Sequence, residues 1–234
     1  EVQVPGKTFF SYISFDSFKI LGHITLDDYN KSDIESFDDL YSRYLSDLKN
    51  QIELIYENTL NQYFEKRTDG KWKWKKDVPC SFISAFTEGC MENGLSYLEG
   101  GPVYKVTSPH IGGLPDVANA LYAIKKLVFD EKKNSFAEFM NVLKNDWQDA
   151  EPLRRYVLKA YDYYGNDNDE VDLIAADILD KFADYCASLD GRCPFSFPAG
   201  VSTFGRQIEW APERLSAPHG KKKGECLSGN FSPT

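Results

Sequence analysis

Three short stretches and three scattered histidines hold residue types that do chemistry, and spacing decides what each can do. Residues 163–172, YYGNDNDEVD, alternate Asp and Asn and offer oxygen ligands for calcium. A calcium loop needs oxygen ligands at positions 1, 3 and 5 and glycine at 6, but a loop opening at Asp167 puts Val171 at 5 and Asp172 at 6. Helix capping by Asn168 or Asp169 explains the stretch better. His23, His110 and His219 lie far apart with no second histidine or carboxylate at ligand spacing, which favours three unrelated histidines over a metal site. HIGGLPD, 110–116, has two glycines ahead of a helix start and could set backbone amides around an anion. It lacks both the Lys-Ser/Thr of a phosphate loop and a full G-x-G-x-x-G. RTDGKWKWKKD, 67–77, alternates Trp with Lys. Such a run can stack single-stranded nucleic acid, but in an acidic chain a hairpin or a partner-facing loop is the better reading.

The balance of charge agrees. A net charge of -9 and a pI near 4.9 disfavour a phosphate-backbone partner, and Lys221–Lys223 is the one dense basic run. With 42% apolar and 15% aromatic residues, 234 residues can bury a substantial core. No stretch approaches the roughly 20 apolar residues of a membrane span, and no charged-then-apolar leader opens the chain, so a soluble intracellular protein is expected unless a leader was removed. Five cysteines (Cys80, Cys90, Cys186, Cys193, Cys226) with no C-x-x-C pair are read as reduced thiols rather than a disulfide framework or zinc knuckle. Glu1 opens the chain without a methionine, and is either an arbitrary boundary or half of a catalytic pair.

These stretches must be carried by regular elements. Residues 8–27 are rich in aromatic and β-branched types and predict one or two short strands with a polar break. From Ser36, apolar residues at helical spacing (Phe37, Leu40, Tyr41, Tyr44, Leu48, Ile52, Ile55, Tyr63) predict a helix of about 30 residues, with Ser36 and Asp39 as its capping box. From 113 the chain reads as mostly helical: Pro115 and Asp116 start one helix, Ser135 with Glu138 caps another, Pro152 opens a third, and Val171, Ile174, Ile178 and Phe182 line a fourth. CPFSFPAGVST, 193–203, reads as a buried strand entering an irregular tail. No internal repeat or low-complexity linker appears, so 1–234 is read as a single segment.

Three stretches together resemble a family. GLPDVANALYAIKKLVFDEKK (113–133), YGNDNDEVD (164–172) and FGRQIEWAPERLSAPHGKKKGE (204–225) resemble, in order and spacing, successive signatures of the glycyl radical enzymes, the pyruvate formate-lyase-like superfamily. The opening EVQVPGKT resembles the sequence after the catalytic cysteine in the dehydratase and lyase branch, where Gly-Cys-x-Glu leads to Pro-Gly-Lys. On that alignment Glu1 is the motif glutamate. A rival placement lies inside the chain, where Gly89, Cys90 and Glu92 have the same spacing. Cys90 is 23 residues ahead of Gly113 (113 minus 90), whereas the family motif lies far upstream of the AIKKLVF helix. The resemblance therefore favours Glu1 and leaves Cys90 a structural thiol, with Cys90 and Glu92 as the alternative pair. One departure stands out: His219-Gly220-Lys221 replaces the family's common Asp-Gly-Arg.

The resemblance implies an α/β fold, part of a ten-stranded barrel of the glycyl radical type and largely helical in this segment. Residues 1–234 would form roughly its second half, without the catalytic cysteine and the C-terminal glycine loop, and would be inactive alone. It implies no directly bound cofactor. A glycyl radical, installed by a radical S-adenosylmethionine activase with an iron-sulfur cluster, would generate a thiyl that takes a hydrogen atom from a small-molecule substrate. Glu1 would act as general base while a C–O, C–N, C–S or C–C bond breaks, which requires a carboxyl pKa raised by burial. A homodimer, anaerobic metabolism and a cytoplasmic location come with the family. The remaining alternatives are formate acetyltransferase-type acyl transfer, a non-catalytic piece that completes or binds a partner chain, and a helical interaction module.

Overall fold

The computed structural model describes residues 6–26, 34–76, 80–202, 206–229 and 232–233, and of residues 206 and 207 the backbone alone. Strand β1 (Thr8–Asp16) runs directly into helix α1 (Ser17–Leu26); the sequence predicted one or two short strands across 8–27, and the second part is a helix instead. Two facts account for the difference. Asp16 Oδ1 accepts the Phe18 amide at 3.1 Å and starts the helix. Phe18, Ile20, Leu21, Ile24, Thr25 and Leu26 are all buried, so α1 has no broad polar face to display a 3.6-residue period, and burial overrides strand propensity.

Helix α2 (Phe37–Tyr63) is the predicted long helix, 27 residues and about 40 Å. Leu40, Tyr44, Leu48 and Ile52 recur every fourth residue and are fully buried, and Ser36 Oγ accepts the Asp39 amide at 3.1 Å. The Trp-Lys run is a hairpin: β2 (Phe64–Lys66) pairs antiparallel with β3 (Trp72–Trp74), Phe64 opposite Trp74. Short helices α3 (Ser81–Ala85) and α4 (Cys90–Asn93) precede β4 (Tyr104–Gly112). Then come α5 (Leu114–Ile124), prolonged by a π-helical turn over Lys125–Asp130, α6 (Phe136–Lys144), α7 (Glu151–Ala160) and α8 (Asp169–Leu189). The capping box at α6 is made as predicted, the Glu138 amide donating to Ser135 Oγ at 3.3 Å and the Ser135 amide to Glu138 at 2.8 Å. Pro152 sits in the first turn of α7. β5 (Gly200–Val201) and α9 (Arg206–Trp210) complete the chain.

β1, β4 and β5 form a sheet in the order β1–β4–β5. The strand predicted across 193–203 is shorter than expected. Phe195 and Phe197 are buried, and ahead of β5 the stretch pairs through a parallel bridge between Val106 and Ser196. Pro194 and Pro198 flank that bridge and have no amide to give a ladder.

The chain forms two compact units. The first comprises the described part of 1–13, Asn50–His110 and Ala183–Gly200. Its core is aromatic: Phe9 meets Tyr63, Trp74 and Tyr97 at centroid distances of 5.2–5.5 Å, and Phe195 stacks on Phe64 at 5.2 Å. The second comprises Ser14–Lys49, Ile111–Phe182 and the described part of 201–234. There α1 packs on α5 and α6, and every residue of α5 is buried.

Leu48 is 0% exposed, so truncating it should open a cavity. Leu48→Ala is expected to cost about 2–5 kcal/mol in a urea unfolding titration.

Candidate functional site

Within the second unit, the three signature stretches meet on α5. Asp116, in its first turn and fully buried, is the meeting point. Its Oδ1 receives His219 Nε2 at 3.1 Å and Lys221 Nζ at 3.1 Å, and its Oδ2 accepts the Ser228 amide at 2.8 Å. Burial alone would raise the Asp116 carboxyl, but His219, Lys221 and the Ser228 amide together hold it below its ordinary 3.8. The His-Gly-Lys stretch, which departs from the family's usual sequence, thus carries the two side chains that grip this carboxylate. Arg154 Nε donates to the Gly220 carbonyl at 2.7 Å and Trp147 Nε1 to the Lys221 carbonyl at 3.3 Å, fixing the turn from behind.

The middle signature docks on the same helix. The Tyr164 amide donates to the buried Asn119 at 2.9 Å, and Asn168 donates to the Tyr122 hydroxyl at 3.1 Å. Asn168 also caps α8, accepting the Glu170 amide at 3.1 Å. Lys125 and Lys126, adjacent in sequence, both bind Glu170, Lys126 at 3.0 Å. Adjacent residues of a regular α-helix lie about 100° apart, and the π-helical turn coincides with the point where two of them share one acceptor. These bonds hold Glu170 below the ordinary carboxylate range, Lys125 foremost.

The first unit holds a cavity of about 960 Å3. Thr8 and Phe10 of β1 line it, while Phe9 between them points into the aromatic core. Tyr104, Val106, Ser108 and His110 of β4 face it at the two-residue strand period, with Lys105 beside them and Asp190 and Cys193 opposite. Ser108 donates to the Pro198 carbonyl at 2.8 Å. His110 stacks on Tyr12 at 5.1 Å, and its Nδ1 is buried without a hydrogen-bond partner among the described residues. Burial pushes the imidazole below its ordinary 6.5, so at neutral pH it is an uncharged ring able to accept a hydrogen bond. Gly200 is required here, because a Cβ on it would lie 2.3 Å from the His110 ring. Sequence reading set His110 aside as an unrelated histidine. The strand period from Tyr104 to His110 was the signal that groups it with a cavity wall.

The sequence-derived catalytic candidates fall as follows. Glu1 lies outside the described residues. Gly6 and Lys7 are anchored in the first unit, the Gly6 carbonyl accepting the Glu88 amide at 2.6 Å and the Lys7 carbonyl the Tyr104 amide at 2.9 Å. Cys90 is buried at the start of α4, and its thiol is raised by burial and then by Glu92. Glu92 is exposed, and its carboxylate accepts the Gly89 amide at 2.9 Å, which closes the cap of α4. Burial pushes the Cys186 thiol up to about 12. Among the described residues no group of His, Cys, Asp and Glu could hold a metal ion, and no helix is long and apolar enough to cross a membrane.

Two measurements test this electrostatic picture. Because Asp116 titrates lower when folded than unfolded, its contribution to stability is complete above about pH 3.8 and is lost as pH falls through the folded value. Asp116→Asn should cost about 3–5 kcal/mol at pH 7, and the gap from the parent should shrink in urea titrations below pH 3.8. For His110, the nuclear magnetic resonance titration of its ring Cε1–H should show a midpoint below 6.5.

Comparison with known proteins places this geometry. The profile of the Pyruvate formate lyase-like family matches residues 18–206. The (2S)-3-sulfopropanediol dehydratase of Klebsiella oxytoca is 35% identical over 161 residues, which are 66% of this chain and 19% of that enzyme. An isethionate sulfite-lyase of Nitratidesulfovibrio vulgaris is 41% identical over 120 residues, 51% of this chain and 14% of that one. A solved structure concerned with 1,2-propanediol dehydration in Roseburia inulinivorans superposes with a TM-score of 0.82 at 24% identity, covering 99% of this chain and 31% of its own, a likeness of fold. The chain spans about a fifth of the length of the curated relatives it matches. The expected fold holds, a mixed α/β segment of the glycyl radical enzyme barrel. With its profile match over most of the length and its three signatures joined on one buried helix, the chain belongs to the pyruvate formate lyase-like family of glycyl radical enzymes.

Proposed function

We propose that this chain is a barrel segment of a glycyl radical dehydratase or lyase that breaks a C–O, C–N, C–S or C–C bond of a small hydroxylated molecule. The observation that carries the reading is the extent of likeness to the sulfopropanediol dehydratase, supported by the sulfite-lyase. The radical, installed on a glycine by a radical S-adenosylmethionine activase, supplies a cysteine thiyl that removes a hydrogen atom from substrate carbon. Within residues 1–234, read as one segment of the barrel, Glu1 then takes the proton from the hydroxyl on that carbon. The electron density released expels the leaving group from the neighbouring carbon. A homodimer in the cytoplasm completes the proposal.

Glu1 is favoured over Cys90 with Glu92 for two reasons. The Glu92 carboxylate is engaged by the cap of α4, which leaves it poorly placed for base work. Five steps of chain separate Glu1 from Gly6, a reach of at most about 18 Å. Gly6 is two residues before Thr8, where the wall of the first unit's cavity begins. A volume of about 960 Å3 is ample for a small polyol, and Ser108, His110 and Lys105 offer hydroxyl partners there.

The test is anaerobic activation of the full-length protein that carries this chain, read by electron paramagnetic resonance for the glycyl radical and by product formation from 1,2-diols and hydroxyalkyl sulfonates. Glu1→Gln is expected to keep the radical signal and lower turnover about 10²–10⁴-fold, whereas Cys90→Ser should leave turnover within about twofold. Loss of activity in Cys90→Ser with full activity in Glu1→Gln would transfer the role to the alternative pair. A radical with no turnover on any of these substrates would point to a non-catalytic segment.

A further inference from the structure

The second unit contains a half-satisfied buried arginine. Arg214 is 4% exposed, and its Nε donates to Asp16 Oδ2 at 2.8 Å. The other Asp16 oxygen, Oδ1, accepts the Phe18 amide. Neither Nη1 nor Nη2 of Arg214 has a hydrogen-bond partner among the described residues. The Trp210 ring lies 5.6 Å from the guanidinium carbon, a favourable contact that satisfies no N–H. Four donor hydrogens of a charged group are therefore buried with nothing to bind, a costly arrangement that calls for an acceptor.

Arg214 lines a cavity of about 380 Å3. Its walls include Phe15, Phe18 and Trp210, and its polar lining includes Ser14, whose Oγ is also buried without a partner among the described residues. Lys19 and Glu213 pair with each other nearby at 3.5 Å, both exposed. The fork formed by Nη1 and Nη2 matches two oxygens of one oxyanion. A guanidinium accepts nothing, so the occupant must bring lone pairs, and burial of the cation favours one that is negatively charged.

We propose that this cavity is a binding site for a small organic acid, with its carboxylate, sulfonate or phosphate head on Arg214 Nη1 and Nη2 and a short body against Phe15, Phe18 and Trp210. Ser14 Oγ supplies an additional hydrogen bond. The site stands on this geometry and not on the radical reaction proposed above.

The same chemistry could come from a free acid or from an acidic side chain elsewhere in a longer protein, and binding to the full-length protein separates the two. Acetate, methanesulfonate and inorganic phosphate are titrated against chloride at constant ionic strength, with melting temperature and calorimetric heat as readouts and no radical activation. At least one oxyanion should bind saturably and raise the melting temperature. Arg214→Lys keeps a cation for Asp16 but removes the fork, and should weaken binding at least tenfold. Gly22→Leu tests the cavity without touching the ion pair: Gly22 lines it, a Cβ there meets nothing within 4 Å, and leucine suits a helix better than glycine. This variant should fold normally and lose binding. Absence of saturable binding in the parent, as an acidic side chain seated on Arg214 would cause, overturns the proposal. So does binding that survives Gly22→Leu unchanged.

Discussion

The second unit depends on one buried carboxylate. Asp116 has no contact with solvent, and an ion of that size is removed from water only at a cost of several kcal/mol. What offsets the cost is complete satisfaction: two side-chain donors on one oxygen and a backbone amide on the other. Its position in the first turn of α5 adds the favourable end of the helix dipole. The donors are held in turn. Gly220, between His219 and Lys221, has a φ of +98°, and a Cβ on it would come within 2.7 Å of Leu158. Only glycine lets the chain turn there with both flanking side chains directed at Asp116.

From that point α5 acts as the spine on which separate parts of the sequence are assembled. A helix buried on every side cannot signal its partners through an amphipathic stripe, and specificity falls to its few polar positions. Asp116 binds the C-terminal stretch, Asn119 and Tyr122 bind the loop before α8, and the lysines of the π-helical turn bind Glu170 at its start. Stretches more than a hundred residues apart are thereby fixed by hydrogen bonds whose geometry admits one register.

Local signals were the legible part of this sequence. The fourfold recurrence along α2, the serine caps at 36 and 135 and the proline at the start of α7 each depend on residues within a few positions, and each is found in the structure. α1 was misread because most of it is buried, which leaves only the narrow stripe of Lys19, Gly22 and His23 to mark the helical period. Asp116 was read as a helix-start residue, a correct local statement that omits its partners 103 and 105 residues away. The His219-Gly220-Lys221 departure was visible, but its meaning required knowing what it touches. Asp16 and Arg214, 198 residues apart, carry no mutual signal at all.

The two buried ion pairs of this unit show how satisfaction separates scaffold from receptor. Both carboxylates are deeply buried beside cations and near the start of a helix. At Asp116 both oxygens are occupied, His219 and Lys221 each make a direct contact, and the turn carrying them is tied down by Arg154 and Trp147. A closed set of this kind rigidifies and has little left to offer a ligand. At Asp16 each oxygen accepts one donor, and its partner Arg214, which lines a cavity, has no hydrogen-bond partner for Nη1 or Nη2 among the described residues. Folding alone gains nothing from leaving those donors unmatched, since a neutral apolar residue of similar size would pack without the desolvation cost. Binding would gain, because Asp16 holds Arg214 through Nε while Nη1 and Nη2 stay unpartnered among the described residues and already dehydrated.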